Sequence, residues 1–231
     1  MLALAVLGDG TLASGSVDGT VRVWNTNTGA CLLTLAGHIG GVWVLAALSN
    51  GKLASGSWDK TVRVWDTDTG ACLMTLAGHT CGMWALAVLI DGKLASGSGD
   101  ATVHIWDTNT GACLLTLAGH TSYVRSLAVL NDGKLASGSQ DGTVRIWDTN
   151  TSACLLTLEG HTHHVLALAV LNDGTLASGS ADSTVRVWDT NTGACLLTLK
   201  GDTCPVTALA VLCNGTLASG STSDGTIIIW R

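Results

Sequence analysis

Serine, histidine and aspartate, the residue types of a hydrolytic catalytic triad, recur together along this 231-residue chain. In such a triad the histidine takes the serine proton, and the serine oxygen attacks a carbonyl carbon. Each set here also contains a tryptophan, and the sets recur at one constant spacing: His38, Ser55, Asp59, Trp65; His79, Ser96, Asp100, Trp106; His120, Ser137, Asp141, Trp147; His161, Ser178, Asp182, Trp188. A triad occurs once per active site, so the fourfold repetition favours a structural role, in which buried polar groups satisfy one another.

Other chemical sites find little support in the sequence. His163 and His164 could suggest a metal site, but adjacent residues on a strand point to opposite faces. No cysteine or carboxylate at ligand spacing supports them. Apart from residues of the repeat pattern itself, the sequence contains no paired carboxylates and no phosphate-binding glycine loop. The sequence therefore predicts a protein that is not an enzyme, with no metal and no cofactor.

Eight cysteines resemble a disulfide framework until their spacing is considered. Five of them occupy the same position in successive repeats: Cys31, Cys72, Cys113, Cys154 and Cys195. Equivalent positions on separate units cannot bring Cα atoms within the roughly 7 Å that a disulfide needs. We therefore expect small apolar fillers in a reducing, cytoplasmic compartment.

Composition limits the class of protein. Hydrophobic residues make up 47% of the chain and charged residues 12%, with a net charge of −6. An acidic chain is a poor partner for phosphate backbones or anionic membrane surfaces, so we expect neither nucleic acid nor membrane as a partner. No apolar run approaches the ~18 residues of a membrane span. We expect one domain over residues 1–231.

One sequence unit accounts for the whole chain. The string Leu-Ala-Ser-Gly-Ser begins at six evenly spaced positions: Leu12, Leu53, Leu94, Leu135, Leu176 and Leu217. A strict period of roughly 40 residues is typical of solenoids, propellers or arrays. In the fourth unit we predict strand a at 124–130, strand b at 134–139, strand c at 143–147 and strand d at 153–158, separated by Asp-Gly and other turn signals.

The motifs of the unit resemble the WD40 repeat. Gly-His opens the unit, Ser-Gly-Ser precedes an aspartate turn, and Trp-Asp closes strand c. The resemblance implies an all-β, six-bladed WD40-type β-propeller of four-stranded antiparallel blades, used as a protein-interaction platform. It also implies that each His, Ser, Asp and Trp set is a hydrogen-bonded tetrad. The near-identical repeats resemble the sensor arrays of NACHT- and NB-ARC-linked WD40 proteins.

The sixth unit departs from the pattern. Asp202 replaces the histidine, and Ser223 is inserted before the turn aspartate. Strands a, b and c occur six times but strand d only five times, so the last blade is predicted to lack its outer strand. An uncharged edge strand is one that proteins normally avoid. The segment Ile227 to Trp230 is therefore a candidate for self-association, although it also fits a frayed last blade.

Variation among the repeats gathers at one place, which we call the variable end: the d–a and b–c connections of each unit. These ends line one rim of the predicted ring. The aromatic and basic residues that interfaces favour lie there. The candidate partner-binding residues are Trp43, Trp58, Trp84, Tyr123, Arg125, Gln140, His163, His164 and Leu166.

The leading functional prediction is a non-catalytic scaffold that binds a peptide or protein on this rim. One alternative is a small-ligand or glycan site, in which Trp43 or Trp84 stacks on a sugar. Another is a segment of a larger WD40 array that self-associates through its open edge strand.

Overall fold

Regular secondary structure in the computed structural model consists of antiparallel strands. The structure describes residues 1–49, 51–201, 204–222 and 224–230. The chain divides into two compact units, Met1–Thr116 and Leu117–Arg231, and the boundary falls inside the last strand of the third sheet. Asp202 and Ser223, the departures of the sixth repeat, lie outside the described residues.

Unit 1 holds the first three sheets, which we call blades 1 to 3, in strand order a-b-c-d. Their strands are β1 Ala3–Val6, β2 Leu12–Gly15, β3 Val21–Trp24, β4 Cys31–Leu35; β5 Val42–Ala47, β6 Lys52–Ser57, β7 Thr61–Asp66, β8 Cys72–Ala77; β9 Met83–Val88, β10 Leu94–Ser98, β11 Thr102–Trp106, β12 Cys113–Ala118.

Unit 2 holds blades 4 to 6, and the last of these has three strands. Their strands are β13 Val124–Val129, β14 Leu135–Ser139, β15 Val144–Trp147, β16 Cys154–Leu158; β17 Val165–Val170, β18 Leu176–Ser180, β19 Thr184–Trp188, β20 Cys195–Lys200; β21 Val206–Val211, β22 Leu217–Ser221, β23 Ile227–Trp230. The predicted strands of the fourth repeat are confirmed to within a residue at each end. Strand a ends at Val129 because the Leu130 amide already closes the turn by donating to the Lys134 carbonyl at 2.8 Å.

The core lies between consecutive blades. In blade 1, Ala13, Val21 and Val23 pack against Leu53 and Trp65 of blade 2. The same columns meet between blades 2 and 3, 4 and 5, and 5 and 6. We call the surface of a blade that packs against the next blade in the chain its back face. The surface that packs against the preceding blade is its front face. Burial of branched aliphatic and indole side chains at each contact stabilises the stack by the hydrophobic effect.

A β-bulge recurs near the start of strand a. In blade 2, Val42 pairs with Ser57 and Val44 with Gly56, so that Trp43 has no partner across the ladder. The same register shift occurs in blades 3 to 6. A bulge inserts one unpaired residue and re-aims its side chain. The second residue of strand a therefore leaves the regular alternation in each of these blades.

Candidate functional site

The four predicted tetrads form one continuous hydrogen-bond chain each. In blade 2, Trp65 Nε1 donates to Ser55 Oγ at 2.8 Å, Ser55 Oγ lies 2.8 Å from His38 Nε2, and His38 Nδ1 lies 2.8 Å from Asp59 Oδ2. The other three sets repeat these contacts, each at 2.7 or 2.8 Å. The tetrads that the resemblance implied are thus present as hydrogen-bonded groups.

Burial and charge fix the proton positions in the blade 2 tetrad. Burial lowers the pKa of His38 below its usual value of 6.5, against the raising effect of Asp59. Burial acts to raise the pKa of Asp59, but hydrogen bonds from Thr61 and His38 outweigh it and lower that pKa. A neutral histidine therefore donates through Nδ1 to an ionised aspartate and accepts the serine hydroxyl at Nε2.

This arrangement leaves no nucleophile for a substrate. The four tetrad serines, Ser55, Ser96, Ser137 and Ser178, are fully buried. Each serine oxygen also accepts an indole N–H. A reacting carbonyl has to approach the nucleophile within about 3–3.5 Å. The tetrads consequently bind blade elements together rather than act on a substrate.

Steric contacts explain why a glycine precedes the tetrad histidine. A Cβ at Gly37 would lie 2.6 Å from Arg63 Nη1 and 3.2 Å from the Trp65 ring. Gly119 and Gly160 meet the corresponding arginine and tryptophan in the same way. In blade 3 the arginine is replaced by His104, which stacks on His79 with ring centroids 3.8 Å apart.

Three of the predicted binding residues come together on unit 1. The ring centroids of Trp43 and Trp84 lie 5.2 Å apart, those of Trp58 and Trp84 5.3 Å, and those of Trp43 and Trp58 6.0 Å. Trp43 and Trp84 occupy the bulge position of their strands, and Trp58 begins the b–c turn of blade 2. Trp58 remains 48% exposed and Trp43 37%.

Small residues form the base of this aromatic cluster. A Cβ at Gly82 would lie 2.9 Å from the Trp58 ring, and one at Gly41 would lie 3.3 Å from both Trp43 Nε1 and the Val17 Cα. Val17 is exposed beside them. We call Val17, Trp43, Trp58 and Trp84 the tryptophan patch. Val17 was not among the predicted binding residues, although its position just before the turn aspartate varies between repeats.

The remaining predicted residues lie at the variable ends of blades 4 and 5. Tyr123 is partly exposed, and its carbonyl accepts the Gln140 amide at 2.9 Å. Arg125 is half-buried at the bulge of blade 4, and this burial lowers its pKa. Leu166 occupies the bulge of blade 5.

The two adjacent histidines are exposed, and their backbone carbonyls accept hydrogen bonds within blade 5. The carbonyl of His163 accepts the Ser180 hydroxyl at 3.2 Å, and the carbonyl of His164 accepts the Ala181 amide at 2.8 Å. Among the described residues, no three His, Cys, Asp or Glu side chains are placed to hold a metal ion. No helix in the described part of the chain is long and apolar enough to cross a membrane.

The repeated cysteines are not where we predicted them. Cys31, Cys72, Cys113, Cys154 and Cys195 are exposed free thiols on strand d. They cannot be core fillers, because they begin the outer strand of blades 1 to 5, on its solvent side. In three blades an arginine from strand c reaches the sulfur, as in Arg63 Nη1 to Cys72 Sγ at 3.6 Å.

Four-stranded antiparallel sheets with a His-Ser-Asp-Trp tetrad define a WD40-type β-propeller. The family model described as "WD domain, G-beta repeat" matches residues 2–25, 29–66, 70–107, 111–148, 152–189 and 193–231. The chain therefore belongs to the WD40 family. It is an all-β chain of six blades, of which the last has three strands.

Solved structures and curated relatives agree with this family. The WD40 β-propeller domain of Doa1 is similar with a TM-score of 0.86 and 28% identity, over 99% of this chain and 78% of that one. WD repeat-containing protein pop1 of Schizosaccharomyces pombe is 52% identical over 40 residues, which are 17% of this chain and 5% of that protein.

Two further relatives share one repeat-length segment. The F-box/WD repeat-containing protein 7 of Drosophila melanogaster is 56% identical over 32 residues, 14% of this chain and 2% of that protein. A probable E3 ubiquitin ligase complex SCF subunit, sconB of Aspergillus niger, is 47% identical over 34 residues, 15% of this chain and 5% of that protein. The matched segments thus span at most 5% of these relatives.

Proposed function

We propose that this chain is a non-catalytic scaffold that binds a peptide or protein through the tryptophan patch. The observation that supports it most is the contact of three tryptophan rings at positions where the repeats differ. Elsewhere the repeats are nearly identical, and the other six tryptophans all lie at the end of strand c. Tryptophan is enriched at binding hot spots because it buries a large area at small entropic cost.

The chemistry of the patch supports an apolar partner. Its four side chains carry no charge, and the nearby Asp59 is occupied by His38 and Thr61. Backbone carbonyls beside the patch are also engaged, since Gly41 accepts the Trp58 amide at 2.9 Å and Gly82 accepts the Gly99 amide at 3.0 Å. Recognition here depends on apolar and aromatic contact. We therefore expect a segment that offers leucine, methionine or phenylalanine side chains.

Selection from a displayed peptide library tests the patch without a known partner. Peptides selected on the wild-type chain should bind the Trp58→Ala variant roughly 30-fold more weakly or worse, because a hot-spot tryptophan contributes about 2 kcal/mol. Isothermal titration measures both affinities. Trp58 is half-exposed in a turn, so its removal leaves the tetrads and the core in place.

The matched control is Leu114→Ala, which removes a side chain of similar exposure from strand β12. That variant should bind the selected peptides as the wild type does. Peptides that bind the wild type and Trp58→Ala equally would contradict the proposal. A glycan on the same patch would instead change tryptophan fluorescence in a saccharide titration, and we expect no such change, since the three rings pack on one another.

The variable ends of blades 4 and 5 form the second part of the proposal. We assign Tyr123, Arg125, Gln140, His163, His164 and Leu166 to partner contact there. Arg125→Ala tests them with the same selected peptides. We expect the effect of this substitution on peptide affinity to be independent of that of Trp58→Ala.

Three broader features belong to the same proposal. All six repeats would form one domain in a reducing, cytoplasmic compartment, where exposed thiols stay free. The near-identical repeats would make the chain the recognition part of a NACHT- or NB-ARC-linked receptor, which the flanking gene sequence tests. The curated relatives named as SCF and F-box proteins support a protein as the partner.

Strand β23 supports a second candidate function, self-association. Ile227 and Ile229 are exposed on it, and β22 is its neighbour in the sheet. An added strand could pair with the backbone of the open edge.

A further inference from the structure

The back face of blade 6 exposes residues that are buried in every preceding blade. Ile227 corresponds by repeat to Val21, Val62, Val103, Val144 and Val185, which are at most 1% exposed. Ile227 itself is 73% exposed and Ile229 is 45% exposed. The back face of blade 6 therefore has the apolar composition of a protein core, but its isoleucines are exposed to solvent.

A hollow lies on this face where another blade would insert a side chain. Between consecutive blades, the first residue of strand a covers a strand-b glycine: Val206 Cγ1 lies 2.6 Å from a Cβ built on Gly179, and Val165 Cγ1 lies 2.7 Å from one built on Gly138. At Gly220 of blade 6 the nearest atom is Ala208 Cβ of the same blade, at 3.9 Å.

The hollow has a volume of ≈160 Å³. Its lining is free of charged residues: Ala208, Leu209, Ala210, Ala218, Ser219, Gly220 and Ile227. An apolar hollow of this order of size accepts an apolar group.

The front face of blade 1 is exposed in the complementary way. Leu4 is 52% exposed, whereas its equivalent in blade 2, Leu45, is buried. Trp24 is half-buried, whereas the strand-c tryptophans of blades 2 to 5 are 1% exposed. Blade 1 thus presents the columns that fit a back face at four contacts inside this chain.

We propose that two copies of this chain associate head to tail, with the back face of blade 6 in one copy packed on the front face of blade 1 in the other. The partner is a second copy because the two surfaces already meet as neighbouring blades within the chain. Such a contact is heterologous, so each copy keeps one free face for a further copy. This interface is independent of the tryptophan patch.

Two lysine substitutions test the proposal, one on each face. The variants are Leu4→Lys and Ile227→Lys, both at exposed positions where the chain's own packing is kept, and far-ultraviolet circular dichroism checks the fold. Light scattering should show a mass that rises with concentration for the wild type and stays monomeric for each variant alone. A mixture of the two variants should form a dimer and nothing larger, since one intact pair of faces remains.

The control Ile90→Lys places the same substitution at a turn residue that is 71% exposed. It should associate like the wild type. A monomeric wild type at every concentration would overturn the proposal. So would an Ile227→Lys and Leu4→Lys mixture that stays monomeric. Association of Leu4→Lys alone would also overturn it, because pairing between two β23 edges does not need blade 1.

Discussion

A single serine hydroxyl joins two aromatic side chains in each tetrad. In blade 4, Ser137 Oγ lies 2.7 Å from His120 Nε2 and 2.8 Å from Trp147 Nε1. In blade 1, Ser14 Oγ accepts Trp24 Nε1 at 2.8 Å, and the described residues of that blade place no histidine against it. The two serines have the same place in the repeat but different numbers of partners, so their replacement should have different effects.

Ser137→Ala should lower the free energy of unfolding by about 2–4 kcal/mol, because two buried polar groups lose their partner together. Ser14→Ala should lower it by about 1 kcal/mol, because half-exposed Trp24 can bond to water instead. Urea denaturation followed by circular dichroism measures both. Equal losses in the two variants would show that the histidine adds nothing.

The identities of the tetrad residues could be read from the sequence, whereas the contacts of the patch could not. The resemblance to the WD40 repeat was needed to group His38 with Ser55, Asp59 and Trp65, and the constant spacing then gave the other three sets. Ring contact between Trp43, Trp58 and Trp84 depends on how adjacent blades pack and on where the bulge turns a side chain. Neither the packing of adjacent blades nor the direction of a bulged side chain can be read from a single sequence.

At the scale of the element, the b–c turn shows how tolerant the repeat is of turn residues. The turn needs a residue with positive φ, which is Gly19 at 82° in blade 1 and Gly142 at 84° in blade 4. Blades 2, 3 and 5 hold Lys60, Ala101 and Ser183 there, with φ from 65° to 72°. A residue with a Cβ is strained in this region by roughly 1–2 kcal/mol.

Ala101→Gly should therefore raise the free energy of unfolding by about 0.5 kcal/mol, since the relief of strain exceeds the extra entropy of glycine in the unfolded chain. Gly142→Ala should lower it by about 1 kcal/mol, because the new Cβ would also lie 3.3 Å from the His161 carbonyl oxygen. Thermal denaturation compares the two. A destabilised Ala101→Gly would mean that the turn is not strained.

Strand order and turn positions followed from the repeat, but strand exposure did not. The sequence placed Cys31 and its equivalents at one position in successive repeats, where we expected small apolar fillers. Strand d is the outer strand of its blade, and alternation alone does not tell which side of a four-stranded sheet faces water. Exposure of that strand is a property of the sheet and not of the segment.

For the whole molecule, the buried histidines predict a loss of stability in acid. Burial, the nearby charge of His79 and an opposing effect of Asp100 together lower the pKa of His104 to about 4. The pKa values of His38 and His161 are also lowered, mainly by burial. Hydrogen bonds lower the pKa of the tetrad aspartates, in Asp182 to about 2, although burial opposes the shift.

A histidine whose pKa is lower in the folded chain binds fewer protons there than in the unfolded chain. Stability from such a group is complete above its unfolded pKa of 6.5 and is lost as the pH falls towards 4. For the aspartates the loss begins only below 3.8. Urea denaturation at a series of pH values should therefore show a fall that begins near pH 6.5.

His104→Arg isolates one contribution, since arginine stands at this position in blades 2, 4 and 5. Between about pH 7.5 and pH 4.5, the free energy of unfolding of this variant should fall by on the order of 2 kcal/mol less than that of the wild type. The reason is that the charge of the variant residue does not change over that range. The control is His163→Arg, an exposed residue, which should follow the wild type. A parallel pH profile for His104→Arg would contradict the assignment.

The repeated contact between back and front faces has a consequence for how such a gene can change. Any front face carries the same apolar columns as any other, so a recombination event that adds, removes or exchanges one period joins surfaces that already match. Residues at the bulge and before the turn aspartate travel with the exchanged period, outside those columns. Crossing over between repeats would thus exchange the residues at these variable positions while the junctions between blades stay chemically the same.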